Sequence, residues 1–252
     1  MREVRFFVPL ENIKGNTVLI DGQEFKHLSK VLRLRVGDSV SIICNDSNIR
    51  QAKITKINKD NALAQIVSVL KKENTGADIT VFLALIKQDP LSLAVQKCTE
   101  LGVNRFVPFS SKFSVVVDKG QIKPRLERIV QSSCKQCGRL FGMQIDNTVS
   151  FDEMCDILEQ FDSVIVAYEK DTTNAKSILS KLNKKEKIAI VIGGEGGFSA
   201  EEIKKLNAKN IKFVSLGKLI LRAETATMAL VSAIKYELGE FTNENINVNT
   251  GV

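Results

Sequence analysis

From Ile79 onward, apolar runs of strand length alternate with helical patterns, and this alternation limits the fold more than any other feature. The apolar runs are Ile79 to Ile86, Arg105 to Phe109, Ser163 to Ala167, Ile188 to Ile192 and Lys212 to Leu216. Helical spacing follows them from Asp89-Pro90 to Gly102, from Pro124 to Arg139, around Ser177 to Leu182, from Ser199, and from about Glu224 to Leu238. Near-continuous apolar strands must be covered on both faces, so the pattern specifies an α/β fold with a mostly parallel sheet between helices. Asp89 reads as an N-cap with proline at the first helical position, and Gly102 as the residue that closes that helix. Ser150-x-x-Glu153 and Ser199-x-x-Glu202 read as capping boxes.

The first part of the chain follows a different grammar. Short β-like runs (Val4 to Val8, Thr17 to Ile20, Ser39 to Cys44, Arg50 to Ile57, Ala62 to Leu70) are separated by turn signals such as Asp21-Gly22 and Gly37-Asp38. They predict a small β-barrel or sandwich, interrupted by a helix over Glu24 to Leu34. The polar stretch Lys71 to Gly76 reads as a boundary. The expected domains are therefore 1–71 and 72–241, with 242–252 a polar, disordered tail.

Charge follows the same division. Residues 1–72 carry thirteen Lys/Arg against seven Asp/Glu, and the remainder carries 23 against 22, so nearly all of the net +7 lies in the first third. A basic module joined to a near-neutral α/β module suits a protein that holds a polyanion with one part and does chemistry with the other. A surface that only keeps the protein soluble would carry lysines too.

Several classes drop out. No apolar run is long enough to span a bilayer and the first residues lack a signal-peptide core, so a cytoplasmic protein is expected. Five cysteines form no disulfide framework, and Cys134-x-x-Cys137 lies inside a helical pattern without a second such pair, so ordinary thiols and no metal are expected. The only histidine, His27, rules out histidine-pair metal sites.

Chemistry concentrates in two late segments, Ile192-Gly-Gly-Glu-Gly-Gly-Phe-Ser199 and Leu216-Gly-Lys-Leu-Ile-Leu-Arg-Ala-Glu-Thr-Ala226. Both fall where strands end, which is where open α/β sheets bind ligands. Four glycines in five positions leave main-chain donors and acceptors unshielded, as a nucleoside-like ligand requires. A phosphate loop needs Lys-Ser/Thr after its last glycine, and a dinucleotide fingerprint belongs to the first βα unit; neither condition is met. A merely tight turn would need only one or two glycines. In the second segment, an exposed Arg222–Glu224 pair would be worth little by itself. Such a pair does not account for Leu219-Ile220-Leu221, apolar side chains in a loop with something to cover.

The ordered set His27-Leu-x-x-Val31-Leu32-Arg33, Gln96-Lys97-x-Thr99-Glu100-Leu101-Gly102, Gln136-x-Gly138-Arg139 and the two glycine segments resembles the bacterial 16S ribosomal RNA (uracil-N3) methyltransferase E family, over residues 2 to about 240. The resemblance implies a SPOUT-type, mostly parallel sheet with a C-terminal trefoil knot, preceded by a small PUA-like β-barrel. It implies S-adenosyl-L-methionine as cofactor, 16S rRNA or the small ribosomal subunit as partner, and a homodimer. Main-chain knots are rare enough that no pattern argument would have proposed one.

On this resemblance the cofactor-binding candidates are Ala167, Gly193, Gly194, Glu195, Gly196, Gly197, Leu216, Gly217, Leu221 and Arg222. The catalytic candidates are Arg222, with Glu195 or Glu224 orienting it or accepting a proton. Arg5, His27, Lys30, Arg33, Arg35 and Arg139 are the candidates for RNA contact. The chain departs from the family in two places: Gly194 stands where proline is usual, implying a looser loop, and Ser132 and Lys135 make the Pro124 to Arg139 helix more basic. Three alternatives stay open: a non-catalytic RNA-binding protein, a SPOUT methyltransferase acting on another RNA, and an α/β enzyme using a different nucleotide.

Overall fold

The structure, a computed structural model, describes residues 4–44, 46, 48–71, 76–139, 142–208 and 211–241. Most of the expected boundary (72–75) and the expected tail (242–252) lie outside the described residues. The chain forms two compact units, one of residues 1–75 with 131–142 and the other of 76–130 with 143–252.

The first unit contains β1 (Arg5–Phe7), β2 (Ile13–Lys14), β3 (Thr17–Ile20), α1 (Gly22–Lys26), β4 (Ser39–Ile43), β5 (Asn48–Ile57) and β6 (Ala62–Lys71). The strands form one curled half-barrel sheet in the order β1-β4-β5-β6-β3-β2, antiparallel except for β1 beside β4. Register shifts between β5 and β6, at Gln51/Ala52 and Ile54/Lys56, bend the sheet. The core of this unit holds Phe6, Val18, Ile20, Ile42, Ile54 and Ala64 of the sheet together with Leu28.

The helix expected over Glu24 to Leu34 begins earlier and changes type. α1 runs into a π turn over His27–Val31, where the Leu32 amide donates to the His27 carbonyl at 2.9 Å. The turn ends at Arg33, whose φ of 53° makes it the only non-glycine residue with positive φ among the described residues. The Leu34 amide donates back to Leu28 O at 3.1 Å, so Arg33 occupies a left-handed helix-ending position usually given to glycine.

The second unit contains β7 (Asp78–Ala84), α2 (Gln88–Glu100), β8 (Arg105–Ser110), α3 (Ile122–Cys137), β9 (Gln144–Ile145), β10 (Val149–Ser150), α4 (Phe151–Ile157), β11 (Ser163–Ala167), α5 (Ala175–Leu179), β12 (Lys187–Ile192), α6 (Ala200–Asn207), β13 (Lys212–Val214) and α7 (Ala223–Glu237); the C-terminal part of α3, from Gln131, belongs to the first unit. Every strand pair in this sheet is parallel, in the order β10-β8-β7-β12-β11-β13 with β9 beside β8. Phe82, Val107, Phe109, Val166, Ala189 and Val191 face Phe151 and Met154 of α4 and Leu206 of α6. α2 packs on α7, and α7 on β7 and β12, so both faces are covered.

Four expected helix starts shift or hold for local reasons. α2 is capped at Lys87, so Asp89 and Pro90 lie within its first turn. Proline is accommodated there because amides of the first turn have no helical carbonyl to bond. α5 begins at Asn174, whose side chain accepts from Lys176 N at 3.0 Å. Both capping boxes form, at Ser150/Glu153 and Ser199/Glu202.

Candidate active site

Because β12, β11 and β13 are adjacent and parallel, their C-terminal ends lie side by side along one edge of the sheet. The loops that leave them, starting at Gly193, Tyr168 and Ser215, wall a single cleft. Of the cofactor-binding candidates, Ala167, Gly193, Gly194, Gly197, Leu216, Gly217 and Leu221 line it. Tyr168, Glu169, Phe198, Ser215, Leu219, Ile220, Ala223 and Ala226 line it as well. The sequence signalled Leu219 and Ile220 as loop apolars that need cover; Tyr168 and Glu169 carried no signal beyond following a strand.

Glu195, Gly196 and Arg222 do not line the cleft. Glu195 is exposed at the tip of the glycine turn, where Gly197 N donates to Gly194 O at 3.0 Å. Arg222 is the exposed N-cap of α7, with Ala226 N donating to its carbonyl at 2.8 Å. Among the described residues its guanidinium pairs with neither Glu195 nor Glu224, and Glu224 is half-buried in the first turn of α7.

The glycine turn is shaped by close packing. A Cβ built on Gly196 would stand 2.8 Å from Phe113 Cβ, and one on Gly193 3.1 Å from the Phe198 ring. Gly197 and Gly217 have φ of 66° and 118°. At Gly194 a Cβ would meet only ordinary contacts, Ala84 Cβ at 3.6 Å and Ile86 Cγ2 at 3.8 Å. Phe113 is held against the turn by Glu202, a buried carboxylate that accepts from Ser199 N at 2.7 Å and from Lys112 N at 2.8 Å. A capping residue thus ties the glycine loop to the 111–114 turn.

In the first unit, Arg5 and His27 border a groove together with Phe7, Cys134, Lys135 and Gly138. Arg5 Nη1 donates to Gly138 O at 3.0 Å, and the His27 ring meets Phe6 edge-on at 6.2 Å. Lys135 bonds Glu24 and stands 5.8 Å above the Phe7 ring, so its charge is already engaged. Lys30, Arg33 and Arg35 are exposed, and Arg139 is half-buried just beyond α3. Cys134 and Cys137 are not joined in a disulfide, and one is buried and the other exposed. Among the described residues no cluster of three or more His, Cys, Asp and Glu could hold a metal ion, and no helix is long and apolar enough to cross a membrane.

A cleft built from glycine loops at the carboxyl ends of parallel strands, in a chain that also folds a curled β unit, fits an RNA methyltransferase with a PUA domain. The family model for the RNA methyltransferase domain matches residues 72–235, and that for the RNA methyltransferase PUA domain matches residues 20–67. The chain belongs to the ribosomal RNA small subunit methyltransferase E family. It is 30% identical to the member from Bacillus subtilis, with 92% of this chain and 96% of the relative covered. The Rickettsia conorii member is also 30% identical, with 93% and 96% covered. A crystal structure of the Neisseria gonorrhoeae member bound to S-adenosyl methionine superposes with a TM-score of 0.82 at 26% identity, covering 96% of this chain and 100% of that one. The architecture is the expected SPOUT-type sheet with a PUA-like unit ahead of it.

Proposed function

We propose that the protein transfers a methyl group from S-adenosyl-L-methionine to N3 of a uridine in 16S ribosomal RNA. The observation that carries this reading is the single cleft shared by the three strand-end loops, together with membership of the family. The residues fit such a cofactor: Leu216, Leu219 and Leu221 offer apolar surface to an adenine, and glycine backbone lies open to ribose and amino-acid groups. When bound, S-adenosyl-L-methionine supplies the electrophilic methyl group.

The chain's own task is positioning and charge. Uracil N3 carries a proton at neutral pH, and its removal spreads negative charge onto O2 and O4. The guanidinium of Arg222, without a competing carboxylate among the described residues, stabilises that anion as it forms. Glu195 or Glu224 receives the proton, either directly or through water. The exposed cations Lys30, Arg33 and Arg35, with Arg5, His27 and Arg139, hold RNA phosphates. Leu219 and Ile220, 81% and 84% exposed at the cleft mouth, are covered by a second copy of the chain in a homodimer. The loops around the cleft form the trefoil knot of the SPOUT class, and the protein works in the cytoplasm, where the small subunit is assembled.

Two measurements test the reading. Mass mapping of 16S rRNA from cells lacking the protein should show one N3-methyluridine missing; an unchanged map refutes the assignment. Arg222→Ala should lower turnover at least a hundredfold, the typical effect of removing one preorganised charge-stabilising donor, with cofactor affinity nearly unchanged. Near-normal turnover would remove Arg222 from the mechanism.

A further inference from the structure

A second cavity of about 690 Å³ lies in the same unit, within the ~300–1,000 Å³ range of pockets that hold small organic ligands. Ile86 and Leu91 form one wall, Val116 and Val117 another, and the first turns of α3 the third. Gln121, Ile122, Arg125 and Arg128 are three and four residues apart, so they share the helix face that looks into it. Arg125 Nη1 is shielded from solvent and has no hydrogen-bond partner, the only such side-chain atom among the described residues. A desolvated guanidinium N–H without an acceptor is costly to maintain.

The one carboxylate in the wall does not serve Arg125. Asp118 accepts from the amides of Gly120, Gln121 and Ile122 at 2.8, 3.2 and 3.3 Å and from the Thr148 hydroxyl at 2.6 Å. Burial alone would raise its pKa, but those donors hold the carboxyl below its ordinary value. With Lys119, Arg125 and Arg128 around it, the cavity keeps a positive excess. It also adjoins the cofactor loop: Ile86, part of its wall, is the side chain nearest a Cβ on Gly194 after Ala84, and the segment that supplies Val116 and Val117 carries Phe113 against Gly196.

We propose that this cavity is an RNA subsite, in which Arg125 donates to a backbone phosphate next to the methylated nucleotide while Val116 and Val117 pack on a base. This inference rests on the methyltransferase reading above, because it takes its ligand from that reaction's substrate. Arg125 supplies the charge-assisted bond, and exposed Lys119 and Arg128 add longer-range attraction.

The test uses the full chain, a 16S rRNA transcript and three readouts: methyl incorporation, RNA affinity as a function of salt, and calorimetric affinity for S-adenosyl-L-methionine. Arg125→Gln should weaken RNA binding about tenfold or more and reduce the salt slope by about 0.7, the value for one phosphate on single-stranded RNA. Cofactor affinity should stay within twofold. Unchanged RNA affinity and salt slope overturn the proposal, as does a parallel loss of cofactor affinity, which would make Arg125 a support of the glycine loop. If Arg125→Gln does not fold by circular dichroism, the double variant Lys119→Gln/Arg128→Gln at exposed positions should still reduce the salt slope, and an unchanged slope overturns the proposal. A wild-type protein that binds the transcript but transfers no methyl refutes the proposed reaction, while the binding comparison still judges the cavity.

Discussion

Gly194 and Gly196 are two residues apart in one turn, yet the packing around them predicts opposite responses to a single added methyl group. At Gly196 the new Cβ meets the Cβ of Phe113 at 2.8 Å, a separation that forces one backbone to move. Phe113 cannot retreat freely. Lys112 N is bonded to buried Glu202, Ser111 N donates to Ser114 Oγ at 3.0 Å, and Ser114 N donates to Ser111 O at 3.0 Å. Phe113 is nevertheless 46% exposed, so part of the strain can relax into solvent. Overpacking of this kind costs ~1–3 kcal/mol, and Gly196→Ala belongs near the lower end. At Gly194 the nearest atoms are 3.6 to 3.8 Å away and φ is not positive, so alanine fits without strain. Gly194→Ala should then stabilise by ~0.4–1 kcal/mol through the lower entropy of the unfolded chain. The two variants should differ by about 2 kcal/mol, or roughly 4–8 °C in melting temperature for a chain of this size. Urea titrations and thermal melts followed by circular dichroism measure the difference. Equal stability of the two variants, or destabilisation by Gly194→Ala, would refute the account of the turn.

Arg33 gives a trade between stability and binding: its left-handed φ costs ~1 kcal/mol that glycine would not incur, so Arg33→Gly should raise the urea midpoint while lowering RNA affinity and the salt slope. A loss of stability would mean that the side chain holds the π turn in place. Acid should weaken the first unit through Asp46, which the Arg50 guanidinium bonded to it holds down to about 2 from an ordinary 3.8. A depressed carboxylate stabilises the fold fully above its unfolded value and loses that contribution as pH falls from about 4 toward 2. The stability gap between wild type and Asp46→Asn should therefore close over that window, and a gap independent of pH would contradict the pairing.

The elements were legible because their causes are local. Apolar runs made strands, capping boxes at Ser150 and Ser199 started helices where their side chains could reach their own amides, and Gly102, with φ of 81°, closed α2 as its position suggested. Local rules also misled. Asp89-Pro90 has the composition of a helix start, but the chain turns helical two residues earlier, where an unpaired first-turn amide lets proline sit two steps further in. Lys135 reads as a free cation until Glu24, 111 residues away in the chain, is found bonded to it.

By itself the sequence determined the two grammars of the chain, the position of the glycine loops at strand ends, and the residue types available there. Those properties follow from side-chain volume, backbone freedom and spacing within a dozen residues. Only the tertiary structure decided that β11 lies between β12 and β13, which brings Tyr168 and Glu169 into the same cleft as both glycine loops. It alone showed Glu202 bonding the 111–114 turn, Phe113 filling the space a side chain on Gly196 would need, and Arg125 turned into a second cavity with an unmet donor. Strand order and such contacts join residues tens of positions apart, and their energies depend on which surfaces meet once the core has closed. No periodicity or local motif encodes that meeting.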